Sequence, residues 1–139
     1  MLQPNKNHDF ERLLKPDILD SKNIIIAEDD ETNFILIREY LANSRANIFW
    51  ARDGKETINI FEKNKKVDLV LMDIQMPEIN GFEALRSIRK KNPTLPIVAI
   101  TAYAVSGDRE KGLKAGFNDY LAKPVSKKML IEAIIKLFS

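Results

Sequence analysis

The segment at residues 67–72 most constrains the fold, because it is largely apolar, has the character of a strand and ends directly at Asp73. A near-continuous hydrophobic strand is typical of a parallel sheet that is covered on both faces. Pro77 and Gly81 follow shortly afterwards, so the chain must turn over the Asp73 carboxylate. Open α/β sheets place their ligand sites at the carboxyl ends of strands. An isolated acid there is more often a helix cap or a turn residue, so a site prediction needs support from other strand ends.

Segments with strand and helix character alternate along the chain. We predict strands near residues 23–28, 46–51, 67–72, 96–101 and 118–122, and helices near 32–43, 55–64, 81–91, 105–115 and 126–138. This alternation predicts an α/β fold, a doubly wound five-stranded parallel sheet with helices on both faces. Residues 1–22 carry no complete helical repeat, so we predict a linker or leader there and one domain at residues 23–139.

Four consecutive acids follow the first predicted strand, at residues 28–31. A helix cap needs one acid and the helix dipole tolerates a second, so four acids indicate more than a cap. If this strand lies beside the strand that ends at Asp73, the carboxylates need a cation between them, because like charges at short range cannot all stay ionised. The chain has no cysteine, and a small set of oxygen ligands favours Mg²⁺ over Ca²⁺.

Two further strand ends carry polar side chains, Thr101 after the fourth strand and Lys123 after the fifth. Each is ordinary alone, since Thr is common in strands and Lys is usually a solvated surface charge. Pro124 disfavours the helical backbone region for Lys123. Together the four strand ends offer an acid cluster, a candidate nucleophile, a hydroxyl group and an ammonium group.

The chain resembles the response-regulator receiver domain of two-component signalling from about residue 22 to its C-terminus. The matching motifs are AEDD at 27–30, ARDGKE at 51–56, LMDIQMP at 71–77, EING at 78–81, TA at 101–102, AG at 115–116 and KP at 123–124. Each match alone is weak, whereas the full set in this order is specific. The resemblance implies a flavodoxin-like (βα)5 sheet of strand order 2-1-3-4-5, which would bring Asp29 beside Asp73.

The resemblance also implies the roles of the site residues. Asp73 would be the phosphoacceptor, attacking the phosphorus of a phosphohistidine on a histidine kinase or a histidine phosphotransfer domain. Asp29, Asp73 and the main-chain carbonyl of Gln75 would bind Mg²⁺ directly, and Glu28 would hold it through water. Lys123 would pair with Asp73 at rest and with the phosphoryl group afterwards.

The switch is likewise implied by the resemblance. Thr101 would hydrogen-bond a phosphoryl oxygen, and Tyr120 would change its rotamer with it. Gln75 and Tyr103 occupy positions that tune hydrolysis of the phosphorylated aspartate, and a bulky Tyr103 predicts slow self-dephosphorylation. The last strand and helix, rich in apolar residues, form a candidate surface for a partner or for a homodimer.

Composition excludes several classes of function. A net charge of +2 over 139 residues gives no strong field for nucleic acid or membranes, and we expect neither as a partner. No apolar run approaches the ~20 residues of a membrane helix. The N-terminus does not resemble a signal peptide, and the absence of cysteine is compatible with the cytoplasmic location that we expect.

Two parent proteins are compatible with the sequence, a free-standing regulator and a hybrid histidine kinase. The sequences at residues 72–77 and 101–104 resemble those of hybrid-kinase receivers, so we favour a hybrid histidine kinase as the parent protein. Such a domain promotes its own phosphorylation and dephosphorylation without being a turnover enzyme. Two alternatives are a pseudo-receiver that binds partners without phosphorylation and a phosphatase of haloacid-dehalogenase type. The phosphatase would place a second Asp where Gln75 stands.

Overall fold

The computed structural model describes residues 18–64, 66–102 and 107–138. Strands and helices alternate throughout these residues, and each predicted element is present with ends that differ by a few residues. The elements are β1 (Asn23–Ala27), α1 (Glu31–Tyr40), β2 (Asn47–Ala51), α2 (Gly54–Lys63), β3 (Leu69–Asp73), α3 (Gly81–Lys91), β4 (Ile97–Thr101), α4 (Asp108–Ala115), β5 (Asp119–Ala122) and α5 (Lys127–Phe138). Among the residues described, no helix is both long and apolar enough to cross a membrane.

The five strands form one parallel sheet of order β2-β1-β3-β4-β5. This confirms the predicted doubly wound fold. Ala27 pairs with Met72, so Glu28 and Asp73 follow at the same level of the sheet. Thr101 pairs with Ala122, which places Lys123 one residue beyond the end of β4. The polar strand ends therefore lie along one edge, as parallel topology requires.

Alternate residues of the strands pack into two buried layers, one on each face of the sheet. The layer under α1 and α5 contains Ile24, Ile26, Leu69, Leu71, Val98, Ile100, Leu130 and Ile134. The layer under α3 contains Ile25, Val70, Met72, Leu85, Ile88, Ile97 and Ala99. Leu19 is fully buried in the first layer, although it precedes the predicted domain start at residue 23. That boundary stays a prediction, because residues 1–17 lie outside the described part.

Two element ends differ from the sequence prediction for local reasons. The first helix ends at Tyr40 rather than near residue 43, because the N–H groups of Leu41 and Ala42 donate to carbonyls three residues back, at 3.0 and 3.2 Å. The Ser44 hydroxyl then donates to the Leu41 carbonyl at 2.6 Å. Strand β3 begins at Leu69, and the preceding Asp68 carboxylate accepts the Asn23 N–H at 2.8 Å.

Candidate functional site

Asp73 is the last residue of β3, and only 5% of its surface is exposed. Its Oδ1 accepts the Gln75 N–H at 3.1 Å, and its Oδ2 accepts from Lys123 Nζ at 3.1 Å. The chain then turns, and the Gly81 N–H donates to the Ile74 carbonyl at 2.8 Å. A Cβ on Gly81 would lie 2.7 Å from Ile74 Cα and 2.8 Å from the Asp73 carbonyl oxygen, so only glycine permits this close turn.

Carboxylate oxygens of Glu28, Asp29 and Asp73 lie within 4.8 Å of one another. Adjacency of β1 and β3 thus brings the acids together, as the sequence predicted. Glu28 is buried and Asp29 is exposed. Asp30 instead caps α1, accepting the N–H groups of Thr32 at 2.8 Å and Asn33 at 3.3 Å, and Glu31 is the first residue of that helix. Two of the four consecutive acids therefore belong to the site and two to the helix terminus.

Lys123 reaches from the end of β5 to both buried acids. Its Nζ lies 3.1 and 3.0 Å from the two oxygens of Glu28 and 3.1 Å from Asp73 Oδ2. Sequence reasoning paired Lys123 with Asp73 alone, and the contact with Glu28 is additional. The Lys123 N–H also donates to the Thr101 carbonyl at 2.8 Å, which ties the lysine to the end of β4.

The electrostatics follow from this geometry. Burial raises the pKa of Glu28, the hydrogen bond from Lys123 opposes that shift, and the charge of Asp73 adds to it. Burial alone would lower the pKa of Lys123, but the bonds and charges of Glu28 and Asp73 outweigh it and raise that pKa. Two of the three clustered carboxylates bond one ammonium group, and the excess of carboxylate ligands suits a hard divalent cation. Asp29 and Gln75 line the adjoining cleft of about 500 Å³.

Thr101 and Tyr120 form a second part of the site. Thr101 is fully buried at the end of β4, and only 7% of Tyr120 is exposed. Burial raises the pKa of Tyr120, the charge of Asp108 adds to this, and a side-chain hydrogen bond with Thr101 opposes it. The Tyr120 ring packs against Gly112, where a Cβ would overlap the ring. Tyr103, the proposed tuning residue, lies outside the described residues.

Sequence reasoning missed two residues that contact Glu28. The Asn33 amide donates to Glu28 Oε1 at 3.2 Å, and the Trp50 indole Nε1–H donates to the Glu28 main-chain carbonyl at 2.8 Å. Neither contact has a sequence signal of its own. Both depend on how α1 and β2 pack around the end of β1.

Residues 24–135 match the family described as the response regulator receiver domain. The chain belongs to this family. This receiver domain is 40% identical over 121 residues to the hybrid signal transduction histidine kinase I of Dictyostelium discoideum, covering 81% of the chain but 7% of the kinase. It is 34% identical over 115 residues to the polar-differentiation response regulator DivK of Brucella anthropi, covering 81% of the chain and 93% of DivK.

Solved structures give the same family. The receiver domain of the sensor histidine kinase PA1611 from Pseudomonas aeruginosa, with a magnesium ion coordinated in its active site cleft, is 33% identical. It aligns with a TM-score of 0.76 over 85% of this chain and 98% of its own. The Ssk1 receiver domain of Saccharomyces cerevisiae, solved with the histidine phosphotransfer protein Ypd1, is 30% identical, with a TM-score of 0.76 over 86% and 90% of the two chains. The chain is thus a receiver domain of two-component signalling, as its motifs indicated.

Proposed function

We propose that Asp73 is the phosphoacceptor of this receiver domain. The observation that carries the proposal is a nearly buried carboxylate at a strand end, held between an ammonium group and two further acids. An Asp73 oxygen attacks the phosphorus of a phosphohistidine, an O–P bond forms, and the N–P bond breaks. The imidazole leaves with the electron pair and takes a proton, and an acyl phosphate remains.

Phosphoryl transfer asks the protein mainly for positioning and charge neutralisation. Lys123 already lies 3.1 Å from Asp73 Oδ2, so its ammonium group can stay with the oxygens of an attached phosphoryl group. The buried Thr101 supplies a hydroxyl donor at the neighbouring strand end. Because Thr101 is hydrogen-bonded to Tyr120, a new bond to the phosphoryl group would change the partner of that tyrosine. This coupling supports Thr101 and Tyr120 as the switch.

A magnesium site fits the same residues. Asp29 and Asp73 would ligate the ion directly with the Gln75 carbonyl, and Glu28 would hold it through water. The all-oxygen donor set and the excess of carboxylates support this assignment, as does the magnesium ion of the similar Pseudomonas receiver. When bound, the ion supplies positive charge to the phosphoryl oxygens.

The proposed phosphodonor is a histidine kinase or a histidine phosphotransfer domain. The pairing of the similar Ssk1 receiver with Ypd1 supports it. The Dictyostelium relative supports a hybrid histidine kinase as the parent protein. Because the proposed phosphodonor is a histidine kinase or a phosphotransfer domain, we expect the receiver domain to act in the cytoplasm. A groove of about 370 Å³ between β5 and α5, lined by Leu121, Met129 and Ile135 among others, supports that face as the surface for a partner or homodimer.

The test is intact-mass analysis after incubation with acetyl phosphate and Mg²⁺. Wild-type protein should gain one phosphoryl group only when Mg²⁺ is present, and Asp73→Asn should gain none. Asp68→Asn is a matched control, because Asp68 stands at the other end of the same strand region and bonds the Asn23 N–H instead of the site. Labelling that persists in Asp73→Asn, or that is lost in Asp68→Asn alone, would contradict the assignment.

A further inference from the structure

The main chain of Glu28 is held from outside its own strand. Its N–H donates to the Ala51 carbonyl at 2.9 Å, and its carbonyl accepts from the Trp50 indole at 2.8 Å. Both partners come from the end of β2, whose last residue Ala51 pairs with Ala27, the last residue of β1. A side chain on the edge strand thus satisfies a carbonyl that the sheet no longer pairs.

The indole is itself held by an aromatic ring and a guanidinium group. The Phe34 ring of α1 stacks on Trp50 with 4.3 Å between centroids and 5° between planes. The Arg52 guanidinium lies 4.3 Å from the centroid of the indole ring. Asn33, the neighbour of Phe34, donates its amide to Glu28 Oε1 at 3.2 Å. The aromatic stack therefore holds α1 and β2 against Glu28 at the same time.

Fixing this carbonyl also fixes the next residue. The peptide group is planar, so the Glu28 carbonyl oxygen and the Asp29 Cα belong to one rigid unit. A bond that holds the oxygen therefore helps to fix the position of the Asp29 Cα, which carries the carboxylate side chain. Mg²⁺ demands near-ideal octahedral geometry, so a small rotation of this peptide would misplace a carboxylate ligand.

We propose that Trp50 is a positioning residue for the metal site. Its indole N–H orients the Glu28–Asp29 peptide so that both carboxylates face Asp73. The inference rests on the proposed function, because it assigns a supporting residue to the magnesium site described above. Partners that orient metal ligands typically change metal affinity by about 10- to 100-fold when they are removed, and we expect the lower end for one neutral hydrogen bond.

Trp50→Phe tests the proposal, since it keeps a ring for the stack with Phe34 and removes the N–H. Trp50 is the only tryptophan of the chain, so biosynthetic replacement with benzothienylalanine, a sulfur isostere, removes the N–H at this position alone. Phe49→Leu is the matched control, because Phe49 lies on the same strand but packs in the layer on the opposite face of the sheet. Mg²⁺ affinity is measured by titration calorimetry and, independently, by the rise in melting temperature with Mg²⁺.

We expect Trp50→Phe and the isostere to weaken Mg²⁺ binding about tenfold, and Phe49→Leu to leave the affinity unchanged whatever its stability. The indole N–H resonance of the wild type should shift with the same Mg²⁺ dependence as the calorimetric signal. A wild-type affinity in both Trp50 variants, or an indole resonance that does not respond to Mg²⁺, would overturn the role of Trp50. A wild-type chain that binds no Mg²⁺ would overturn the metal site itself and this inference with it.

Discussion

Replacing Lys123 with methionine removes the ammonium group between Glu28 and Asp73 while keeping most of the side-chain length. Nζ lies 3.0–3.1 Å from three carboxylate oxygens, and the side chain of Lys123 is only 18% exposed. Glu28 and Asp73 are still more buried. Removal of one partner of a buried ion pair typically costs about 3–5 kcal/mol, because the remaining charge stays desolvated and unpaired. We expect Lys123→Met to lower the free energy of unfolding by about 3 kcal/mol at pH 7.5 without Mg²⁺.

The cost should depend on pH with a defined sign. Because Glu28 has a raised pKa in the folded chain, its folded state binds a proton more tightly than the unfolded state, whose pKa is near 4.5. The stability linked to that proton is fully present below the unfolded pKa and is lost as the pH rises through the folded pKa. Loss of Lys123 raises the Glu28 pKa further, so the penalty of the substitution should be small near pH 4.5 and largest at neutral pH. Mg²⁺ should also reduce the stability penalty of Lys123→Met, because the ion supplies the missing positive charge.

Urea unfolding, followed by circular dichroism, measures the free energy of unfolding of wild type and Lys123→Met at pH 7.5 and pH 4.5, with and without Mg²⁺. Lys91→Met is the control, because Lys91 pairs with Glu62 at 2.8 Å but both side chains are well exposed, at 61% and 45%. An exposed pair contributes about 0–1 kcal/mol. If Lys123→Met cost no more than Lys91→Met at pH 7.5, or the same at both pH values, the account of a desolvated acid pair would be wrong.

Two further predictions concern the switch and its lifetime. Gly112→Ala should displace the Tyr120 ring from its buried position and destabilise the domain by about 1–3 kcal/mol, since the new Cβ would overlap the ring. Ultraviolet difference spectroscopy measures the accessibility of Tyr120 to solvent. An unchanged spectrum would contradict this prediction. With Tyr103 two positions after Thr101, the phosphorylated wild type should lose its phosphoryl group slowly without any phosphatase. Tyr103→Ala should shorten the lifetime in a time course of intact mass, and a wild-type half-life of seconds would refute the idea.

The elements and their polar ends could be predicted because their signals are local. Apolar runs that end at Asp73 and Thr101 identify buried strands, and Gly116, with φ 123°, ends α4 as its sequence position indicates. Each of these features depends on the preferences of neighbouring residues, which the sequence states directly.

The separate structural roles of the four acids at residues 28–31 could not be predicted from such local signals. Residues 28–31 look alike in sequence, yet Glu28 is buried in the site while Asp30 bonds the first turn of α1. The separation follows from the point at which the chain leaves the sheet and begins the helix. That point is set by packing of α1 against β1 and β2, which involves residues distant along the chain.

The sequence by itself determined the alternation of strands and helices, the polar strand ends and the family to which the chain belongs. Tertiary structure alone decided that Lys123, which was expected to pair with Asp73, also bonds Glu28, 95 residues away along the chain. It also decided that the Trp50 indole holds the Glu28 carbonyl. The physical reason is that hydrogen bonds and desolvation act over a few ångströms in space, and only the strand order and register bring such distant residues within that range.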